Sequence, residues 1–124
     1  MKAFAKTDIG QERKLDEDYY YVADSNSEIN LYIIADGMGG YNAGEVASKM
    51  ATEASKEYIF KNFEKYKQSK ESIINLLQKT VEYANEVVYK KSNSQKDLSG
   101  MGTTLDICLI YNSNMYVAHV GDSR

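Results

Sequence analysis

The chain is 124 residues long, a plausible size for one domain. Its 15 basic and 18 acidic residues give a net charge of −3, which argues against a nucleic-acid binder. No apolar stretch reaches transmembrane length, the start Met-Lys-Ala-Phe-Ala-Lys is not a signal peptide, and a lone cysteine, Cys108, rules out an intramolecular disulfide, so the expected location is cytoplasmic and not in a membrane.

In chain order, residues 2–6 and 19–24 read as β-strands, the second on the strand-favouring run Tyr19-Tyr20-Tyr21-Val22. Between them lies a polar segment with four acids within seven residues, together with Arg13. Arg13 and Arg124 are the only arginines; all other basic charge is lysine. Arginine offers a planar fork that grips phosphate bidentately, which singles out Arg13. The cluster Asp24-Ser-Asn-Ser-Glu28 reads as a turn, so residues 19–24 and 31–36 form a hairpin.

The run Leu31-Tyr-Ile-Ile-Ala-Asp36 is short, apolar and β-rich, as in a buried strand, and it ends in a carboxylate. Gly37-Met38-Gly39-Gly40 follows, where glycines allow a sharp turn and a close backbone approach. Asp36 and the Gly37 carbonyl supply oxygen donors suited to Mg²⁺ or Mn²⁺. The bland alternative is an aspartate in a turn. A nucleotide-binding glycine loop fits poorly, because Gly37-x-Gly39-x-x-Asn42 lacks the last glycine of the dinucleotide fingerprint.

Asn42-Ala-Gly-Glu45 reads as a capping box that opens a helix running to about Phe63, with Ala47, Met50, Ala51, Ala54, Tyr58 and Phe63 on one face. A second helix over about 70–91 repeats Ile73, Leu77, Thr80, Val81, Ala84 and Val88 at helical spacing. Two amphipathic helices joined briefly predict an antiparallel pair on one sheet. Residues 104–111 and 115–120 read as a second hairpin around Asn112-Ser113-Asn114. Thr103 and Thr104 read as structural, Cys108 as inert packing, and His119 as a strand residue sharing a face with Val117 rather than a catalytic group. Without further information the order of elements gives only an α+β class.

Four segments in order carry a resemblance that covers about residue 3 to the end. They are Thr7–Asp18 with Arg13-x-x-x-Glu17-Asp18, Asp36-Gly-Met-Gly-Gly40, Gly100-Met-Gly-Thr-Thr-Leu105 and Val120-Gly-Asp-Ser-Arg124. The chain resembles the bacterial form of the metal-dependent, type 2C Ser/Thr protein phosphatases. That resemblance implies an α-β-β-α four-layer sandwich, of which this chain is about half. It also implies two or three Mn²⁺ or Mg²⁺ ions in the intact domain. Asp36 is expected to bridge metals, Gly37 to offer its carbonyl, Glu17 and Asp122 to act as ligands, Asp18 to support them from behind, and Arg13 to bind substrate phosphate.

Animal members place a histidine at the position of Met38, which cannot donate a proton. Because the family's domain is about twice this long, residues 1–124 read as the N-terminal part of one catalytic domain, cut after Gly-Asp-Ser-Arg. The expectation is hydrolysis of phosphoserine and phosphothreonine by the complete domain, on phosphoproteins made by a bacterial Ser/Thr kinase, with this chain alone inactive. Its exposed half-core predicts a homo-oligomer or a retained C-terminal fragment. The competing reading is a non-catalytic, phosphatase-like module that binds a partner or phosphopeptide.

Overall fold

The computed structural model describes residues 18–22 (backbone only), 29–39, 43–98 (Asp97 as backbone only) and 100–120. The expected strand at 2–6, the capping residue Asn42 and the turn at 24–28 lie outside the described residues. The elements are β1 (Asp18–Val22), β2 (Asn30–Met38), α1 (Ala43–Tyr66), α2 (Lys70–Ser94), a 3₁₀ turn (Lys96–Leu98), β3 (Gly102–Thr103), β4 (Leu105–Tyr111) and β5 (Asn114–Val120). One antiparallel sheet takes the order β1-β2-β4-β5, with β3 paired to the end of β2.

Strand alternation sorts the sheet into two faces. Leu31, Ile33 and Ala35 of β2, Leu105, Ile107 and Leu109 of β4, and Tyr116 of β5 are buried on the inner face. The helices cover that face, α1 over β1 and β2, α2 over β5. Each large aliphatic side chain buried there contributes about 1.5–3 kcal/mol of transfer free energy. The opposite face carries Tyr32, Ile34 and Asp36 of β2, Asp106, Cys108 and Ile110 of β4, and Met115, Val117 and His119 of β5. Among the described residues nothing packs over it, and Met115 and Val117 are 60% and 65% exposed.

The two helices are joined by only three residues, 67–69. Ser69 stops the chain between them and caps α2: its Oγ accepts from the Ser72 N–H at 3.1 Å. Tyr58 of α1 stacks on Tyr83 of α2, tying the pair together. The buried face of α1 is built from small residues, Ala47, Ser48, Ala51, Thr52 and Ser55 among them, so the helix axis can lie close to the sheet. Ile59 and Phe63 fill the wider space toward its C-terminus, where Phe63 meets Tyr111 edge-on. The hairpin between β4 and β5 turns on Asn112 and Ser113, with φ of 55° and 69°. Two positive φ values in a two-residue loop are the geometry that suits the twist of a hairpin.

Candidate metal-binding end of β2

Asp36 and Gly37 do not form the turn that their sequence predicts. β2 continues through both to Met38, and Gly37 and Met38 pair with Thr103 and Gly102 of β3. The glycine is needed for a different close approach. A Cβ on Gly37 would lie 1.8 Å from the carbonyl oxygen of Gly44, in the first turn of α1. The backbone left-handed turn falls instead at Gly39, with φ of 149°, where a Cβ would also meet Ala43 Cβ at 2.8 Å.

Asp36 faces the other way. Its side chain is exposed on the outer face, while its backbone is held on both sides. Thr104 donates its N–H to the Asp36 carbonyl at 3.0 Å, and its Oγ1 accepts the Asp36 N–H at 3.2 Å. On the other edge Asp36 is paired in register with Asp18 of β1. Thr104 is thus a positioning residue that sequence reasoning treated as merely structural; only the pairing of β3 and β4 with β2 reveals it. Its neighbour Thr103 turns its hydroxyl to the Thr104 carbonyl at 2.7 Å.

Of the sequence-predicted site residues, Asp36, Gly37 and the backbone of Asp18 are brought together at this end of the sheet. Arg13, Glu17 and Asp122 lie outside the described residues. The donors in view, a carboxylate held on a fixed strand end beside a peptide carbonyl, are hard oxygens and fit a Mg²⁺ or Mn²⁺ ion. Among the described residues no three His, Cys, Asp or Glu side chains come together closely enough to hold a metal. A complete site therefore needs further donors.

Two other features were not foreseen. His119 Nδ1 pairs with Asp106 Oδ1 across β5 and β4. An ionised carboxylate only accepts, so the imidazole holds its proton on Nδ1 there. A cleft of about 410 Å³ also runs between α2 and β5, lined by Leu77, Val81, Tyr116 and Ala118 among others; Asp36 does not line it. Cys108 sits between Tyr32 and Val117 on the outer face, and partial burial pushes its thiol pKa up.

Residues 10–124 match the protein phosphatase 2C family, and the chain belongs to it. The serine/threonine phosphatase stp of Listeria monocytogenes is 39% identical over 128 residues, covering all of this chain and 48% of the relative. Protein phosphatase PhpP of Streptococcus pneumoniae is 32% identical over 125 residues, covering all of this chain and 49% of the relative. The chain thus spans about half the length of the curated relatives it matches. Among solved structures, the S. agalactiae serine/threonine phosphatase gives a TM-score of 0.72 at 32% identity, over 92% of this chain and 46% of that one. The catalytic domain of the serine/threonine phosphatase PstP, in complex with two manganese ions, gives 0.70 at 31% identity, over 90% and 44%. The α+β fold, helices on one face of an antiparallel sheet, is that of part of a type 2C phosphatase domain. None of the described helices is long and apolar enough to cross a membrane.

Proposed function

We propose that residues 1–124 form the N-terminal part of a type 2C catalytic domain that, when complete, hydrolyses phosphoserine and phosphothreonine in proteins. The observation that carries this is the end of β2: an exposed carboxylate on Asp36, whose backbone is clamped by Thr104, beside a glycine pressed against the start of α1. Such rigidity is what a ligand shared between metals requires. In this reading Asp36 would be the ligand shared between the ions, Gly37 would offer its carbonyl, and Glu17 and Asp122 would complete the acidic set with Asp18 behind them. Arg13 receives the phosphate through its guanidinium fork.

Bound Mn²⁺ or Mg²⁺ would supply an acidified water and neutralise phosphoryl charge. Asp36 and its acidic neighbours hold that centre in place. Arg13 orients the phosphate oxygens for attack in line with the leaving group. Met38 has no proton to give, so the leaving oxygen takes its proton from water or from a group other than Met38. The substrates are phosphoproteins, and a Ser/Thr kinase is the enzyme that makes them. The outer sheet face, with Met115 and Val117 exposed, is the surface on which the remaining half of such a domain, or a second copy of this chain, would pack.

The 124-residue chain alone binds Mn²⁺ weakly and turns over little or nothing, because the donors expected from the other half are missing. The test assays this chain and a version extended to the relatives' length, with millimolar Mn²⁺ and a phosphothreonine peptide. Metal-dependent turnover by the extended form, abolished by Asp36→Asn with its circular dichroism unchanged, is the expected result. Full activity of Asp36→Asn would refute the role of Asp36. Equal turnover by the two lengths would show that the site is complete in this half. Peptide binding without turnover by the extended form would favour the non-catalytic module.

A further inference from the structure

We propose that His119, held by Asp106, donates the proton that the leaving oxygen needs and that Met38 cannot give. The proposal rests on the metal-site reading of Asp36 given above.

Alternation alone makes His119 an exposed strand residue; its partner and its row give it more. Ile34 of β2 lies opposite Asp106 of β4, and Asp106 lies opposite His119 of β5. Asp36 is two residues further along β2. Asp36, Asp106 and His119 all stand on the outer face. β4 separates β5 from β2, so the approach of His119 to the Asp36 end runs over the surface of β4, not strand to strand. Two strand spacings of about 4.8 Å and two residues of about 3.3 Å put the Asp36 and His119 Cα atoms about 12 Å apart. An imidazole on one side and a carboxylate on the other, with one phosphoryl group between them, bridge such a gap. The next row inward is Tyr32, Cys108 and Val117, with Ile110 and Met115 beyond it. Those apolar rows suit burial under another layer; His119 lies outside them, on the side of the Asp36 rim.

The bond between His119 Nδ1 and Asp106 Oδ1 holds the ring on the β4 side of its strand, the side on which β2 lies. It also divides the work of the two nitrogens. Nδ1–H donates to the carboxylate, so a proton is passed on through Nε2. The carboxylate faces the positive charge of the doubly protonated ring, as where an aspartate orients a catalytic histidine. Asp106 is thus a positioning residue and His119 the catalytic one. Among the described residues the other charged groups around the ring, Asp36 on β2 and Glu82 across the α2 cleft, are acidic as well. The step balances without a further reagent. The oxygen of the attacking water, having released a proton to solvent, bonds to phosphorus. The bond from phosphorus to the serine or threonine oxygen breaks, and its electron pair stays on that oxygen. That oxygen takes the Nε2 proton, leaving a neutral ring with its proton on Nδ1. At 62% exposure the side chain regains its Nε2 proton from solvent.

Two measurements test this. The chain has one histidine, so ¹⁵N NMR of the 124-residue protein reads its imidazole directly. The neutral ring should carry its proton on Nδ1, and Asp106→Ala should shift it to Nε2. A parent ring protonated on Nε2 overturns the proposal. The second measurement compares two substrates of the chain extended to the relatives' length, with Mn²⁺. p-Nitrophenolate leaves without a proton, whereas the alkoxide of phosphothreonine does not. His119→Asn and His119→Gln should lower kcat/KM about a hundredfold on a phosphothreonine peptide and less than about threefold on p-nitrophenyl phosphate. Asp106→Ala should show the same split more weakly, and Asp106→Glu should recover it. The ratio between the substrates is independent of the folded fraction, so a merely structural role moves both equally. Equal losses, or none, overturn the acid role and leave the Asp36 reading standing. Turnover that survives Asp36→Asn, or an extended parent with none, overturns both.

Discussion

Replacing Gly37 by alanine is the most direct test of the β2 terminus. The added Cβ would sit 1.8 Å from Gly44 O, 2.6 Å from Gly44 C and 3.0 Å from Gly44 Cα. All three are backbone atoms in the first turn of α1, so no rotamer can relieve the clash. Ordinary contact needs the helix start to retreat by about 1.5 Å, in an interior as closely packed as an organic crystal. That movement would disturb Ala43, Ala47 and Ala51, all at most 2% exposed, and their contacts with the sheet. Overpacking a tight site costs about 1–3 kcal/mol, and a purely backbone clash belongs at the upper end, about 3 kcal/mol. Against a total stability of about 5–15 kcal/mol that is a large loss. Gly102 supplies the control: it pairs with Met38 in the same ladder, yet its Cβ would meet only Met38 Cγ, at 3.9 Å. Urea unfolding followed by far-UV circular dichroism should show Gly37→Ala losing about 3 kcal/mol and Gly102→Ala within about 0.5 kcal/mol of the parent. Equal losses, or less than about 1 kcal/mol for Gly37→Ala, would refute the claim that this glycine exists for the helix contact.

Three smaller effects follow from the same geometry. Ser69→Ala removes the cap of α2 and should cost about 1 kcal/mol in the same unfolding assay, with Ser69→Asp recovering most of it. Ser113→Gly relieves a left-handed serine at φ 69° and should stabilise by about 0.5 kcal/mol, after the greater freedom of glycine in the unfolded chain is set against it. The raised Cys108 pKa means that the folded state holds its thiol proton to higher pH than the unfolded chain does. Its contribution to stability is whole below the ordinary cysteine value and is lost as pH rises through the folded one. Urea midpoints of the parent and Cys108→Ser should therefore converge or cross as the pH is raised through that window, and alkylation of Cys108 should be slower than that of a free thiol at equal pH.

The strands and the second helix were legible because their burial follows residue type. The apolar run 31–36 reads as a buried strand, and the structure buries only one face of it, Leu31, Ile33 and Ala35; Ile107 and Leu109 of β4 lie on the same inner face, and the helical repeat of Ile73, Leu77, Thr80, Ala84 and Val88 marks the buried stripe of α2. The first helix was read less well. Ser48, Thr52 and Ser55 are fully buried, and a polarity pattern counts such residues as solvent-facing. Here small size decides, since a helix lying close to a sheet has no room for leucine. Element ends differ as well: α1 runs to Tyr66 rather than Phe63, α2 to Ser94 rather than residue 91, and β2 to Met38 rather than Asp36. β3 is only two residues long and carries no pattern of its own. The Asp106–His119 pair needed the register of two strands, which single-strand alternation does not supply.

The site and the fold meet at two adjacent residues. Glycine weakens a strand, and local preference alone would end β2 at Asp36. The strand continues because β3 supplies pairing partners and because the missing side chain lets α1 begin against it. Strand alternation then sends Asp36 to the opposite face from that contact. Anything that moves the start of α1 also moves the peptide that carries the carboxylate, while Thr104 resists from the neighbouring strand. An Asp-Gly at the end of a buried strand therefore does two jobs at once. The glycine fixes the backbone by close packing inside, and the aspartate presents a rigid acid outside, where a metal-dependent phosphatase would need it.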